Sequence, residues 1–283
     1  VSPTLGFVDF NGSTDSWIRS YDDNCNFYNL RVYKTGGAKA KVSNLSTHDL
    51  IVDNLTFVSS TSGYESLSNH NVVMKGAFNY YGTFDFTMNS NTGSAVFDGT
   101  TQTINNYSSG SGTFNNVVFS SSTGTTVAGG DINVAGNLTI NQGYFSPGTN
   151  KVYVGGNWTN SIGDAGFTET GTHIVFNGGN YHQYCSTETF NILEIDKSLG
   201  GAFRVSSGNV ECAQYDWTAG AVDVNTGTFT ANDLLENRVV GAFYVNPGGT
   251  INLINSGTGT YVDLQGELHN YGGTINITGS ISW

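Results

Sequence analysis

Internal repetition constrains this chain more than any other feature of its sequence. Val134-Ala135-Gly136-Asn137-Leu138-Thr139-Ile140 returns twenty positions later as Val154-Gly155-Gly156-Asn157-Trp158-Thr159-Asn160. Between the copies, Gly143-Tyr144-Phe145 and Lys151-Val152-Tyr153 read as short strands, rich in aromatic and β-branched residues and bounded by Gly, Pro and Asn. A unit this short makes two or three strands and cannot bury its own apolar face. Stacked units bury one continuous narrow core and complete one another's backbone ladders.

A longer echo recurs near every 80 residues. Val8-Asp9-Phe10-Asn11-Gly12 returns as Val96-Phe97-Asp98-Gly99 and as Val175-Phe176-Asn177-Gly178. Each is followed by a second signature: Phe27-Tyr28-Asn29-Leu30, Phe114-Asn115-Asn116-Val117 and Phe190-Asn191-Ile192-Leu193. These echoes divide the chain into approximate units 1–92, 93–171 and 172–283, the last diverging after about Leu199 and readable as a cap. Gly at corners supplies positive φ, and recurrent Asn and Thr suit turns and side-chain ladders along a stack. Asn137 and Asn157 are expected in such a ladder.

Composition agrees. Charged residues make up 11% of the chain, where about 25% is usual. Aromatics reach 13%, and 38 glycines accompany only three prolines. Gly, Ser, Thr and Asn are poor in helix interiors, whereas Thr, Val, Ile, Phe and Tyr fit a pleated surface. Disorder is excluded by the rings, which have a core to fill. The sequence therefore predicts an all-β fold, a single-stranded parallel β-helix running as one continuous solenoid over 1–283, with coils of about 20 residues. Tandem β-sandwiches are the alternative, because turn signals at roughly 8–12-residue spacing permit them. The twenty-residue echo argues against them.

The net charge of −12 has the wrong sign for a phosphate backbone, so nucleic acid is not an expected partner. The one basic stretch, Arg31, Lys34, Lys39 and Lys41, reads as a solvated strand edge. No apolar run approaches the ~18 residues of a spanning helix. Val1 opens directly into strand-like sequence with no signal peptide, as in a mature or excised segment. Cys25, Cys185 and Cys212 share no metal-ligand spacing. Cys185 and Cys212 would pair if adjacent coils met there, but buried free thiols are the expectation.

The wording at Val96-Phe97-Asp98-Gly99, at positions 114–120, 134–140 and 154–160, and at Gly171-Thr172-His173-Ile174-Val175-Phe176-Asn177-Gly178 resembles adhesin-like β-helical repeat regions of large secreted proteins from Bacteroidota and related bacteria. The resemblance covers roughly residues 8–199 well and the remainder in texture only. It implies an extracellular or cell-surface location, often reached by type IX secretion. It also implies a role as stalk, filament component or binding surface, with flanking domains or neighbouring subunits as partners.

β-Helices also include polysaccharide-cleaving lyases and hydrolases, which makes an enzyme or a carbohydrate-binding module the alternative function. Candidate carboxylates are Asp22 with Asp23, Glu194 with Asp196 beside Lys197, and Asp216 with Asp223. No catalytic motif accompanies them, so no catalytic residue is assigned and the expectation is a protein that is not an enzyme. His48, His70, His173, His182 and His269 lack metal spacing. Coil packing accounts for His173, and His182 near Tyr184 and Cys185 reads as a turn. No metal ligand or cofactor is assigned, although structural calcium in Asp- and Asn-rich loops stays open. Surface glycans are the candidate ligand, with Tyr80, Tyr81, Tyr144 and Trp217 as rings that would meet sugar faces, and Tyr107 beside them.

Overall fold

The computed structural model describes residues 6–20, 25–44, 49–58, 63–66, 70–82, 84–88, 93–107, 112–179, 182–197, 201–234, 238–239, 241–255, 261–264 and 266–282. The chain is 62% strand and winds as parallel stacked coils of about 22 residues, a β-solenoid. Each coil lays one short strand on each of three faces. Ile132–Val134, Leu138–Ile140 and Phe145–Ser146 form one such coil. The next places Val152 on Ile132, Trp158 on Leu138 and Phe167 on Phe145.

The first face rises from Ser16–Ser20 through Lys151–Val154 to His173–Phe176. Above it, Glu188–Asp196 and Asn209–Ala219 are long strands that run round a corner. Their later halves continue the first face, with Val175, Glu194 and Asp216 in register. Their earlier halves continue the third face, with Phe190, Cys212 and Ala231 in register. The upper second face comprises His182–Cys185, Ala202–Val205, Ala221–Val224, Ala242–Val245 and Leu268–Asn270.

Corners are written into the alternation of side chains. In Leu50–Phe57, Leu50, Val52, Leu55 and Phe57 are buried, and Asp53-Asn54 interrupt the alternation. A one-residue slip sends side chains to the opposite face of a flat strand. Here two successive outward residues turn the strand and keep its apolar residues inside. Glu188–Asp196 slips likewise at Asn191-Ile192. Every copy of the Phe-x-Asn/Ile-apolar signature is a corner of this kind. The Val-Phe-Asp/Asn-Gly signature marks a strand entering a corner, but its three copies lie on three different faces.

Glycine in the Val-Phe-Asp/Asn-Gly signature serves two purposes. Gly12 has φ +94, a conformation costly for residues with a Cβ. Gly99 and Gly178 are needed for proximity: a Cβ there would sit 2.1 Å from the Lys75 carbonyl oxygen and 1.8 Å from that of Gly155.

The asparagine ladder is present. The Asn137 amide donates to Asn116 Oδ1 at 2.9 Å, the Asn157 amide to Asn137 Oδ1 at 2.8 Å, and the Tyr184 amide to Asn157 Oδ1 at 2.9 Å. Inside, the core is a column of rings. Phe97, Phe119 and Phe145 stack in sequence at 5.4 and 4.1 Å, and Phe78 packs against Phe57, Phe84, Phe97 and Phe114.

The basic stretch is not a uniform solvated edge. Arg31 pairs with Asp9 and Lys41 with Asp15, while Lys34 is fully buried. Its ammonium donates to the carbonyls of Asn11 and Thr14 at 2.9 and 2.8 Å. A buried charge needs hydrogen-bond partners, and the corner's free carbonyls supply them. The cysteines are free thiols, Cys185 and Cys212 buried and Cys25 half-buried. Among the described residues no helix is long and apolar enough to cross a membrane.

Candidate functional site

The upper second face carries three copies of a short motif: Gly201-Ala202-Phe203-Arg204-Val205, Gly220-Ala221-Val222-Asp223-Val224 and Gly241-Ala242-Phe243-Tyr244-Val245. Phe or Val at the third position and Val at the fifth point into the core, all 2% exposed or less. The second and fourth positions face outward. Parallel pairing stacks each position into a column.

The fourth-position column runs Tyr184, Arg204, Asp223, Tyr244, His269 in strict register. Arg204 Nε donates to Asp223 Oδ2 at 2.8 Å, and Asn246 Nδ2 donates to Asp223 Oδ1 at 2.8 Å. The guanidinium lies 6.0 Å from the Tyr184 ring. Tyr244 and His269 stack at 4.9 Å and 10°, with Tyr271 parallel beyond them. The second-position column is His182 followed by Ala202, Ala221 and Ala242. Burial, then the Arg204 charge, holds His182 below the usual imidazole range.

These small residues form the floor of a groove of about 940 Å³, and Trp217 lies along its flank. The indole owes its place to two local features. The strand register shifts between Ile195 and Asp196, whose partners are Trp217 and Ala219; such bulges re-aim side chains. Trp217 Nε1 then donates to the Gly220 carbonyl at 3.0 Å. Gly241 lies directly beneath the ring, where a Cβ would come within 2.0 Å of Nε1.

Of the four rings read as sugar-binding, only Trp217 reaches this groove. Tyr81 is exposed and stacks on Tyr107 at 4.7 Å, away from it. Tyr144 is half-exposed and lies over Gly124. Tyr80 requires correction: it is 1% exposed and packs on Phe84 at 4.7 Å. In Phe78–Tyr80 the two rings share parity, so both point inward. Burial pushes the Tyr80 phenol up to about 12.

The acidic candidates regroup as well. Glu194 does not act with Asp196 and Lys197. Lys197 is fully buried, donating to Gly178 O at 2.8 Å and Gln183 Oε1 at 2.7 Å, and burial lowers its ammonium to about 8. Glu194 instead meets His173, with Nε2–Oε2 2.8 Å, and accepts from Thr218 Oγ1 at 3.0 Å. Asp216 belongs beside Glu194, and Asp223 belongs to the groove. His182 lies on a strand, not a turn, and Cys185 points into the core. Asp22, Asp23 and His48 lie outside the described residues.

The Gly-Ala column lies beyond Leu199, where the earlier motifs no longer recur. The motif itself, three times Gly-Ala-x-x-Val, was there to be found. No comparable signal marks Glu188, a buried carboxyl accepting from Trp158 Nε1 at 2.7 Å and Asn160 Nδ2 at 2.9 Å. Comparison with protein-family models, with curated proteins and with solved structures finds no match for this chain.

Proposed function

We propose that this chain is a structural, adhesin-like solenoid segment of a secreted or cell-surface bacterial protein, and that its second face holds an extended, uncharged polysaccharide. The observation that carries this reading is the groove's composition: aromatic rings along one axis, a Gly/Ala floor, an Arg–Asp pair, and the exposed carboxylate of Glu267. Aromatic faces carry negative charge density and attract the C–H faces of sugar rings. Apolar walls with a few convergent polar groups are the usual make-up of a ligand groove.

Arg204 is already neutralised by Asp223, a charge-assisted pair. With its charge balanced in this way, its remaining donors favour hydroxyl groups over carboxylates or sulfates. The column repeats every ~4.8 Å along the stack, comparable to the length of one hexose unit, so consecutive coils would meet consecutive sugars. Charge-poor, Asn- and Thr-rich coils suit a surface rod, and flanking domains or further subunits would supply anchoring.

A glycan array, with binding followed by titration calorimetry, tests the reading. Neutral hexose polymers are expected to bind, and Trp217→Ala and Tyr244→Ala should each weaken binding at least tenfold. No binding to any glycan would remove the groove from the account. Polysaccharide cleavage is the alternative, favoured by Lys151 within 3.5 Å of Glu194 on the neighbouring face. Turnover in a lyase or hydrolase assay would replace the structural reading with that one.

A further inference from the structure

Outside the groove, three coils of the first face place His173, Glu194 and Asp216 side by side. Their ligand atoms lie within 4.8 Å of one another. Donors bound to one ion at ~2.0–2.2 Å lie no more than about 4.4 Å apart, so small side-chain rotations would close the set. The side chains of His173 and Glu194 are only 15% and 13% exposed, and parallel pairing fixes Glu194 directly against Asp216.

His173 supplies the independent observation. Among the described residues its buried Nε2 makes no well-aligned hydrogen bond, although it meets Glu194 Oε2 as a 2.8 Å ion pair. The nitrogen is thus turned toward a carboxylate without the alignment that a hydrogen bond would give it. Buried polar atoms of this kind are rare and call for an explanation. A cation between the two groups would supply one.

We infer that His173, Glu194 and Asp216 bind one divalent transition metal ion, joining three successive coils and leaving its remaining coordination positions to water or ligand. One imidazole with two carboxylates suits zinc or manganese, whereas calcium and magnesium prefer all-oxygen sets. Lys151, 3.5 Å from Glu194 Oε2, is the resident competitor. Thr218 ties the cluster to the groove, because it bonds Glu194 and also lines the groove.

The test is calorimetric titration of zinc chloride into the full chain after treatment with chelator. One equivalent should bind, and His173→Gln and Glu194→Gln should each weaken it at least tenfold. Lys151→Met should tighten binding severalfold, an effect that loss of structure would not produce. Absence of zinc binding, zinc binding unaffected by these substitutions, or preference for calcium over zinc would each overturn the inference. If His173→Gln fails to fold by circular dichroism, Lys151→Met and Asp216→Asn decide: unchanged affinity in both overturns it.

Discussion

At the scale of single residues, burial decides chemistry. Glu188 is 1% exposed, with no cation among its bonded partners, and burial pushes its carboxyl up to about 7. An unfolded glutamate releases its proton near 4.5. Between these values the folded chain holds a proton that the unfolded chain has lost, so stability falls as pH rises from about 4.5 through 7. Glu188→Gln keeps an oxygen for Trp158 and Asn160 and removes the ionisation. Thermal melts should show the variant matching the parent at pH ~4 and exceeding it by several degrees at pH ~8. Equal melting at both pH values would contradict this. Little of this was legible beforehand, since nothing in the local sequence says that Glu188 faces Trp158 from a later coil. Tyr80, by contrast, could have been placed, because it shares parity with Phe78 in a strand. Lys34 shows the opposite limit: only the assembled corner reveals carbonyls that accept its ammonium.

At the scale of elements, the repeated words of the sequence describe corners and ladders. Asn137 accepts from the Asn157 amide and donates its own amide to Asn116. Asn137→Ala removes one acceptor and leaves the Asn157 amide unpaired, a loss of about 1 kcal/mol. Hydrogen exchange at the Asn157 amide should quicken by roughly fivefold to tenfold while the Val152 amide keeps its rate. Uniform acceleration across both would mean that the ladder has no local role. This element was visible in advance because Asn recurs at one position of adjacent coils. The faces were not. The recurrence near 80 residues returns corner chemistry but not the same wall, because coil lengths vary and three corners share one residue vocabulary. The groove motif lay in the stretch judged divergent, and Trp217 is positioned by a bulge and by Gly241, both properties of pairing between coils.

At the scale of the molecule, each coil meets only its neighbours above and below, so the coil is the unit of addition and loss. Residues 132–151 form one full turn, since Ile132 pairs with both Gly112 and Val152, and Leu138 with both Val117 and Trp158. Deleting 132–151 would set Val152 on Gly112 and Trp158 on Val117 with every inward residue still inward. The shortened chain should keep its β circular-dichroism spectrum and cooperative melt. Deleting only 132–141, half a turn, should abolish both, because it moves every later strand to the wrong face. Equal tolerance of the two deletions would contradict a solenoid. The all-β class, parallel coiling and repeat scale were legible from the short echo and the composition. Coil length came out nearer 22 than 20, because corners carry extra residues that periodic matching skips.

The central functional claim is that the Gly-Ala floor of the second face lies under a bound sugar chain. Methyl spectra of chain labelled at alanine, titrated with a neutral hexose oligomer such as cellohexaose, address it most directly. The expected result is progressive shifts of the Ala202, Ala221 and Ala242 methyls, with Ala38, Ala40 and Ala95 unmoved and the shifts lost in Trp217→Ala. Unmoved groove methyls across a panel of neutral glycans, or shifts confined to other alanines, would contradict it.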